Sequence, residues 1–257
     1  STTGTGVTVA ASPAGPYALG TTIVTWTATD AGGNTATCTQ TVNVTDIENP
    51  TITAPANLSV SSDIGVCTAS SVSLGTPTTS DNCSVASTSN NSTGSYNLGA
   101  NTVVWTVTDG SGNTATASQV VTVVDNQNPT ITAPANVTVS ADAGMCTASG
   151  VSLGTPTTAD NCSVASTINN GTATYAVGVN TVVWTVTDGS GNTATASQTV
   201  TVTDNENPTI TAPADVTVCN GATISLGTPA TGDNCSVASV TNDAPTSYAV
   251  GTTVVTW

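Results

Sequence analysis

Apolar and polar residues alternate along much of this chain, in the rhythm that makes β-strands. In Thr102-Val-Val-Trp-Thr-Val-Thr108, Val103, Trp105 and Val107 share one face, while Thr102, Thr106 and Thr108 share the other. A period of two is the mark of a half-buried strand. Asp109-Gly-Ser-Gly-Asn113 comes next. Its residues tolerate the positive φ of a hairpin turn, so a partner strand is expected from Thr114 to Val124. The pattern recurs: Tyr17 to Trp26, Tyr96 to Trp105, Tyr175 to Trp184 and Tyr248 to Trp257 are versions of one strand, and Asp30 to Asn34 and Asp188 to Asn192 repeat the turn.

The recurrence has a fixed step. Asp46-Ile-Glu-Asn-Pro50, Asp125-Asn-Gln-Asn-Pro129 and Asp204-Asn-Glu-Asn-Pro208 follow one another at equal intervals. A constant period of domain length indicates a tandem array. The expected divisions are residues 1–46, the C-terminal half of a repeat; 47–125 and 126–204, two complete repeats; and 205–257, the N-terminal part of another. Each complete repeat opens on Pro-Thr-Ile-Thr-Ala-Pro, where proline suits an edge strand or a strand start. A turn follows (Ser61 to Gly65, Ser140 to Gly144), then a cysteine, then Gly-Thr-Pro. Asp81-Asn-Cys-Ser-Val-Ala-Ser87 comes later and returns at Asp160 and Asp233. A short deletion ahead of Cys219, relative to the preceding repeat, brings Trp257 in earlier than the period would place it. The expectation is a window of a longer array. The Asp-x-x-Asn-Pro stretches read as joints between units, whose stiffness sets what the region does.

Charge narrows the functional classes. The 257 residues include 15 acids and no Lys, Arg or His. No side chain can form a salt bridge, and each acid must be screened by salt or bound by a metal. Nothing can neutralise phosphate, which argues against nucleic acid, and an anionic membrane surface is disfavoured for the same reason. No apolar run is long enough to span a membrane. Catalysis is poorly provided for, with no His or Lys base and no Arg to hold an anion. Paired carboxylates run glycoside hydrolysis, but Glu48 becomes Gln127 and then Glu206, so that position is no required acid. The expectation is a protein that is not an enzyme.

Seven cysteines in a Thr/Ser-rich chain point to an oxidising compartment. Cys67 and Cys83, Cys146 and Cys162, and Cys219 and Cys235 are pairs with one common spacing, and Cys38 is left over. Zinc would usually want four ligands and finds no histidine. Disulfides within each repeat are the favoured reading; such a loop adds about 3 kcal/mol on the entropy model. Residues 68–74, if fully extended, would carry the chain more than ~20 Å from Cys67. The alternative is therefore a bond to the following repeat, Cys67 to Cys162, stapling neighbours together.

Four features together resemble the hyalin repeat, or HYR domain: Asp-Asn-Cys-Ser-Val-Ala-Ser, the Tyr…Gly-Thr-Thr-Val strand, Thr-Asp-x-x-Gly-Asn-Thr-Ala-Thr, and the Asp-Asn-Glu-Asn-Pro joint. The resemblance covers essentially the whole chain in register. It implies an all-β fold of tandem immunoglobulin-like β-sandwich repeats in a linear array, as in extracellular matrix, adhesion and long bacterial surface proteins. Short strands, alternation and regular turns agree with it. Family members often carry cysteines at the positions of Ala54, Ala133 and Ala212 and of Cys38, Ala117 and Ala196, which implies that these two positions pair. Cys38 would then have its partner ahead of Ser1.

The joint also looks like the linker of cadherins, where acids between immunoglobulin-like domains hold calcium. Calcium takes six to eight oxygens. The sandwich fold is expected to bring Asp81 and Asp109 to Asp46, Glu48 and Asn49. At the second joint it would gather Asp125, Gln127, Asn128, Asp160 and Asp188. At the third the candidates are Asp204, Glu206, Asn207 and Asp233. Against this stands the ordinary role of Asp and Asn as turn formers. The functional expectation is a structural stalk of an extracellular fibre or cell-surface adhesin. Its disulfides, and calcium in the joints, stiffen it; its partners are neighbouring repeats or fibre subunits. A glycan- or protein-binding module is the alternative, and near-identical repeats favour the stalk.

Overall fold

The computed structural model describes residues 6–257, and every regular element among them is a β-strand. The chain forms two compact units, Ser1–Asp125 and Asn126–Trp257. In the first unit, β1 (Thr8–Ser12), β2 (Gly20–Thr29) and β3 (Thr35–Val44) make a three-stranded sheet in that order. A full repeat follows: β4 (Thr51–Thr53), β5 (Leu58–Ser61), β6 (Thr68–Ser70), β7 (Thr78–Ser80), β8 (Val85–Asn90), β9 (Ser95–Asn97), β10 (Gly99–Asp109) and β11 (Thr114–Val124). Its main sheet runs β5-β11-β10-β8, and the pairs β4-β7 and β6-β9 supply the facing layer.

The second unit repeats this arrangement with β12 (Thr130–Thr132), β13 (Val137–Ser140), β14 (Thr147–Ser149), β15 (Thr157–Ala159), β16 (Val164–Asn169), β17 (Thr174–Ala176), β18 (Gly178–Asp188) and β19 (Thr193–Thr203). Residues 205–257 add β20 (Thr209–Thr211) and β21 (Ala230–Gly232), paired antiparallel. The fold is the all-β, immunoglobulin-like sandwich that the family resemblance implies and with which the alternation agrees.

The hairpins lie where the pattern placed them. Trp105 faces Ala117 across β10 and β11, and Trp184 faces Ala196 across β18 and β19. β11 also runs parallel to β5, with Val121 opposite Leu58. The inward residues Val103, Trp105, Val121 and Val123 pack on Ala69 and Tyr96 of the facing layer. The second unit builds the same core from Val182, Trp184, Val200, Val202, Ala148 and Tyr175. A large apolar side chain contributes about 1.5–3 kcal/mol when fully buried, so a core this thin leans on its polar ties.

The strongest of these ties is Gln119. It shares the inward face of β11 with Val121 and is fully buried. Its Oε1 accepts Trp105 Nε1–H at 3.1 Å, and its Nε2 donates to the carbonyls of Ala56 (2.8 Å) and Leu74 (3.0 Å). One amide thus satisfies an indole and two loop carbonyls. Gln198 does the same for Trp184, Ala135 and Leu153. The two repeats differ at one tyrosine. Tyr96 bonds the Ser92 hydroxyl; in the second unit Gly171 replaces that serine, and the buried Tyr175 hydroxyl has no partner.

The hairpin turns rest on aspartate. Asp109 Oδ1 accepts the amides of Ser111 (2.9 Å) and Asn113 (2.8 Å), and Oδ2 accepts Asn113 Nδ2 at 2.7 Å. Gly112 adopts φ 95° to close the turn. Burial opposes ionisation of Asp109 and Asp188, but the hydrogen bonds from Asn113 and Asn192 and the turn amides outweigh it and hold both carboxyls below their ordinary value. A depressed folded pKa contributes stability above the unfolded value, near 3.9, and loses it as pH falls through the folded value. Thermal melts at about pH 5 and about pH 2.5 are expected to show a lower Tm in acid; an unchanged Tm removes these turns from the pH response.

Candidate metal centre

Three sequence candidates meet in the first unit. The Asp46 carboxylate ends the segment after β3, Asp81 follows β7, and Asp109 ends β10. One carboxylate oxygen from each lies within 4.8 Å of the others. Local bonding explains part of this geometry. Asp81 Oδ2 accepts the amides of Cys83 (2.8 Å) and Ser84 (2.9 Å), a turn that aims its other oxygen back at the joint. Asp46 Oδ1 accepts the Glu48 amide at 3.1 Å. That leaves Asp46 Oδ2 and Asp81 Oδ1 buried with no hydrogen-bond partner. Two buried carboxylate oxygens with no donor, in a chain without a cationic side chain, are costly unless a cation joins them. The donors are hard carboxylate oxygens, the set that calcium takes.

The neighbours of this group are polar. Glu48 points elsewhere and accepts Asn82 Nδ2 at 2.9 Å. Asn113 Nδ2 reaches the Asp46 carbonyl at 3.3 Å, which ties the hairpin turn to the joint. Asn49 is exposed. Cys83 lies beside the acids; partial desolvation first, then a thiol hydrogen bond to the Asp46 carboxylate and the charges of Asp46, Asp81 and Asp109, push its thiol pKa up.

In the second unit the candidates are used differently. Asp204 Oδ1 accepts the Glu206 amide (3.1 Å) and Asn234 Nδ2 (3.2 Å). Glu206 reaches the turn before β14, where the Gly144 amide donates to its two oxygens at 3.0 and 3.2 Å. Asn234 Nδ2 also donates to the Met145 carbonyl at 2.9 Å. Asp233 and Asp160 keep the turn role of Asp81, through the amides of Cys235 and Ser236 and of Cys162 and Ser163. Asp188 holds its own hairpin turn just as Asp109 does, and Asn207 is exposed. Asp125 closes the first unit after β11; Gln127 and Asn128 precede β12 in the second.

The disulfide expectation needs correction. Cys146 bonds Cys235, at a sequence separation of 89 and a Cα–Cα distance of 4.7 Å. Cys67 and Cys162 are also disulfide-bonded, whereas Cys83, Cys219 and Cys38 are free. The bonds of Cys67 to Cys83, Cys146 to Cys162 and Cys219 to Cys235 therefore do not form. The extended chain after Cys146 carries it away from Cys162, while the Asp233 turn lies beside Met145. Within the second unit the bond thus ties Cys146 to the Asp-Asn-Cys motif that follows β19. The asparagines of the Asp-Asn-Cys motif were missed as joint residues. Their recurrence as Asn82, Asn161 and Asn234 was the available signal.

No helix among the described residues is long and apolar enough to cross a membrane. Hyalin from Lytechinus variegatus is 31% identical over 206 residues, which is 73% of this chain and 38% of that protein; the chain thus spans well under half of that relative's length. Solved structures to which the chain is similar include the protocadherin fragment PcdhgB3 EC1-4 (14% identity, TM-score 0.35, 80% of this chain and 66% of that one) and mouse Cadherin-23 EC22-24 (15% identity, TM-score 0.35, 71% and 74%). Residues 124–202 match the HYR domain, and with the hyalin match this shows the HYR-domain resemblance that the repeated motifs carry.

Proposed function

We propose that this chain is a structural repeat segment of an extracellular fibre or cell-surface adhesin stalk, stiffened at its joints by disulfides and by calcium. Residues 1–46, 47–125, 126–204 and 205–257 are the repeat divisions in this reading. The HYR match and the similarity to hyalin support an extracellular adhesion-type repeat. The observation that carries calcium is the pair of buried, unpartnered oxygens on Asp46 and Asp81, with Asp109 within reach. The joint residues Glu48, Asn49, Asp125, Gln127, Asn128, Asp160, Asp188, Asp204, Glu206, Asn207 and Asp233 are proposed to bind or position cations at successive joints. A recognition module would want exposed aromatic platforms, yet Trp105 and Trp184 are each 6% exposed.

Calorimetric titration of the chain with calcium is expected to give binding heat. Asp46→Asn combined with Asp81→Asn is expected to weaken the tightest site at least about tenfold, or ~1.4 kcal/mol. Small-angle scattering with calcium and then with chelator reads stiffness: a straighter particle with calcium supports the stalk, and identical profiles with no binding heat remove calcium from it.

A further inference from the structure

β16 is exposed along its whole length and ends its sheet, in the order β13-β19-β18-β16. It lies inside a complete repeat, with chain before and after it, so its open edge belongs to the fold. The ladder with β18 shows which groups face outward. The Asn170 amide donates to the Val183 carbonyl, and residues along an antiparallel ladder alternate between bonded and unbonded pairs. Ile168, opposite Thr185, therefore directs its backbone groups at β18, while Thr167 and Asn169 direct theirs at the open edge. Thr167 and Asn169 pair with the inward Val186 and Trp184, which leaves the Ile168 side chain on the solvent face, 64% exposed.

Sheet edges are commonly guarded by charge, proline or a bulge. β16 has one bulge, between Val164 and Ser166, and no charge or proline. Ser166 to Asn169 run on as a regular ladder. In a chain of net charge −15, no acid occurs from Asn161 to Thr187. The equivalent β8 is an exposed edge as well, with Ser89 where β16 has Ile168.

We propose that β16 is a docking edge for a second copy of this chain: two copies join antiparallel through it, about a two-fold axis at Ile168. Thr167 of each copy exchanges backbone hydrogen bonds with Asn169 of the other, and the two Ile168 side chains meet across the axis. This is strand addition with isologous symmetry. A second copy is the occupant on two grounds. In this register the strand is its own complement, and its one large exposed side chain past the bulge falls on the axis. Elsewhere the acids of two such chains repel, whereas this edge is uncharged, so repulsion steers copies onto it. The contact is small beside a standard interface, and each is weak singly. The inference rests on the stalk reading for its purpose, which is to let neighbouring stalks pack side by side.

The test starts from a chain whose exposed free cysteines are replaced (Cys38→Ser, Cys83→Ser, Cys219→Ser). Ile168→Cys in that background is expected to form a reducible dimer on mild oxidation. Residues opposed in an unbonded pair lie about 4.5 Å apart at Cα, within disulfide range. Val179→Cys is the control: Val179 is 75% exposed on β18, off the axis, and should stay monomeric. In the unmodified chain, hydrogen exchange at the Thr167 and Asn169 amides should slow as concentration rises. The slowing should strengthen in salt, which screens the acids, and persist in chelator. Ile168→Asp should weaken the association at least about tenfold, with unfolding followed at Trp184 unchanged. Because no cation takes part, this result and the calcium titration fail independently. Exchange at Thr167 and Asn169 that ignores concentration overturns the proposal, and so does an Ile168→Cys chain that dimerises no faster than Val179→Cys.

Discussion

Gln119→Ala is expected to destabilise the repeat of residues 47–125 by about 3–5 kcal/mol. The substitution removes three hydrogen bonds at once, from the Trp105 indole and to the carbonyls of Ala56 and Leu74. The Trp105 indole stays buried with nothing to bond, and the carbonyls of exposed Ala56 and half-buried Leu74 lose their donor. Unsatisfied buried groups cost ~1–3 kcal/mol apiece, and the vacated amide volume adds a cavity. Gln40→Ala supplies the contrast. Gln40 is exposed and bonds only Trp26 among the side-chain contacts of β3, so the loss there is expected to stay within about 1 kcal/mol. Denaturant unfolding read by tryptophan fluorescence separates the two. If Gln119→Ala unfolds within error of the parent, the glutamine is a passenger and packing alone holds the sandwich.

Cys235→Ser is expected to cost the second unit nearly as much or more. The bond to Cys146 spans a sequence separation of 89, and the chain-entropy model assigns a loop of that length about 4–5 kcal/mol. The effect should also be local in character. Asn234 and Glu206 hold Met145 and Gly144 through hydrogen bonds alone, which become fluctuating contacts once the covalent tie is gone. Hydrogen exchange at the Gly144 amide is expected to rise, along with a drop in unfolding midpoint. Unchanged protection at Gly144 would mean that the polar clamp suffices without the disulfide.

The strands were the most legible part of this chain. Period-two alternation around Trp105 and Trp184 placed both hairpins, because an inward indole and its flanking valines leave little freedom of register. The Asp109 and Asp188 turns were equally readable, since their chemistry is local. What local pattern did not reveal was long-range. Gln119 looks like any polar residue in a Thr-rich strand until the loops at Ala56 and Leu74 arrive beside it. The cysteine spacing misled for the same reason: the interval is short in sequence, but β14 and the chain after it separate Cys146 from Cys162, and Cys235 fills the gap. At the joint, Asp46, Asp81 and Asp109 converge as the sandwich fold implied, whereas Glu48 and Glu206 turned to neighbouring amide groups.

The bond between Cys146 and Cys235 also fixes what happens when this chain is pulled. Tension that enters ahead of Cys146 and leaves after Cys235 crosses the sulfur bridge and bypasses the segment between them. That segment contains the whole β18–β19 hairpin and its core. Even if that core melts under load, its backbone, which would span roughly 300 Å when drawn out, stays as slack and adds no length. The buried residues between Cys146 and Cys235 thus sit behind the bridge, while β12 and β13, which precede Cys146, stay on the line of force.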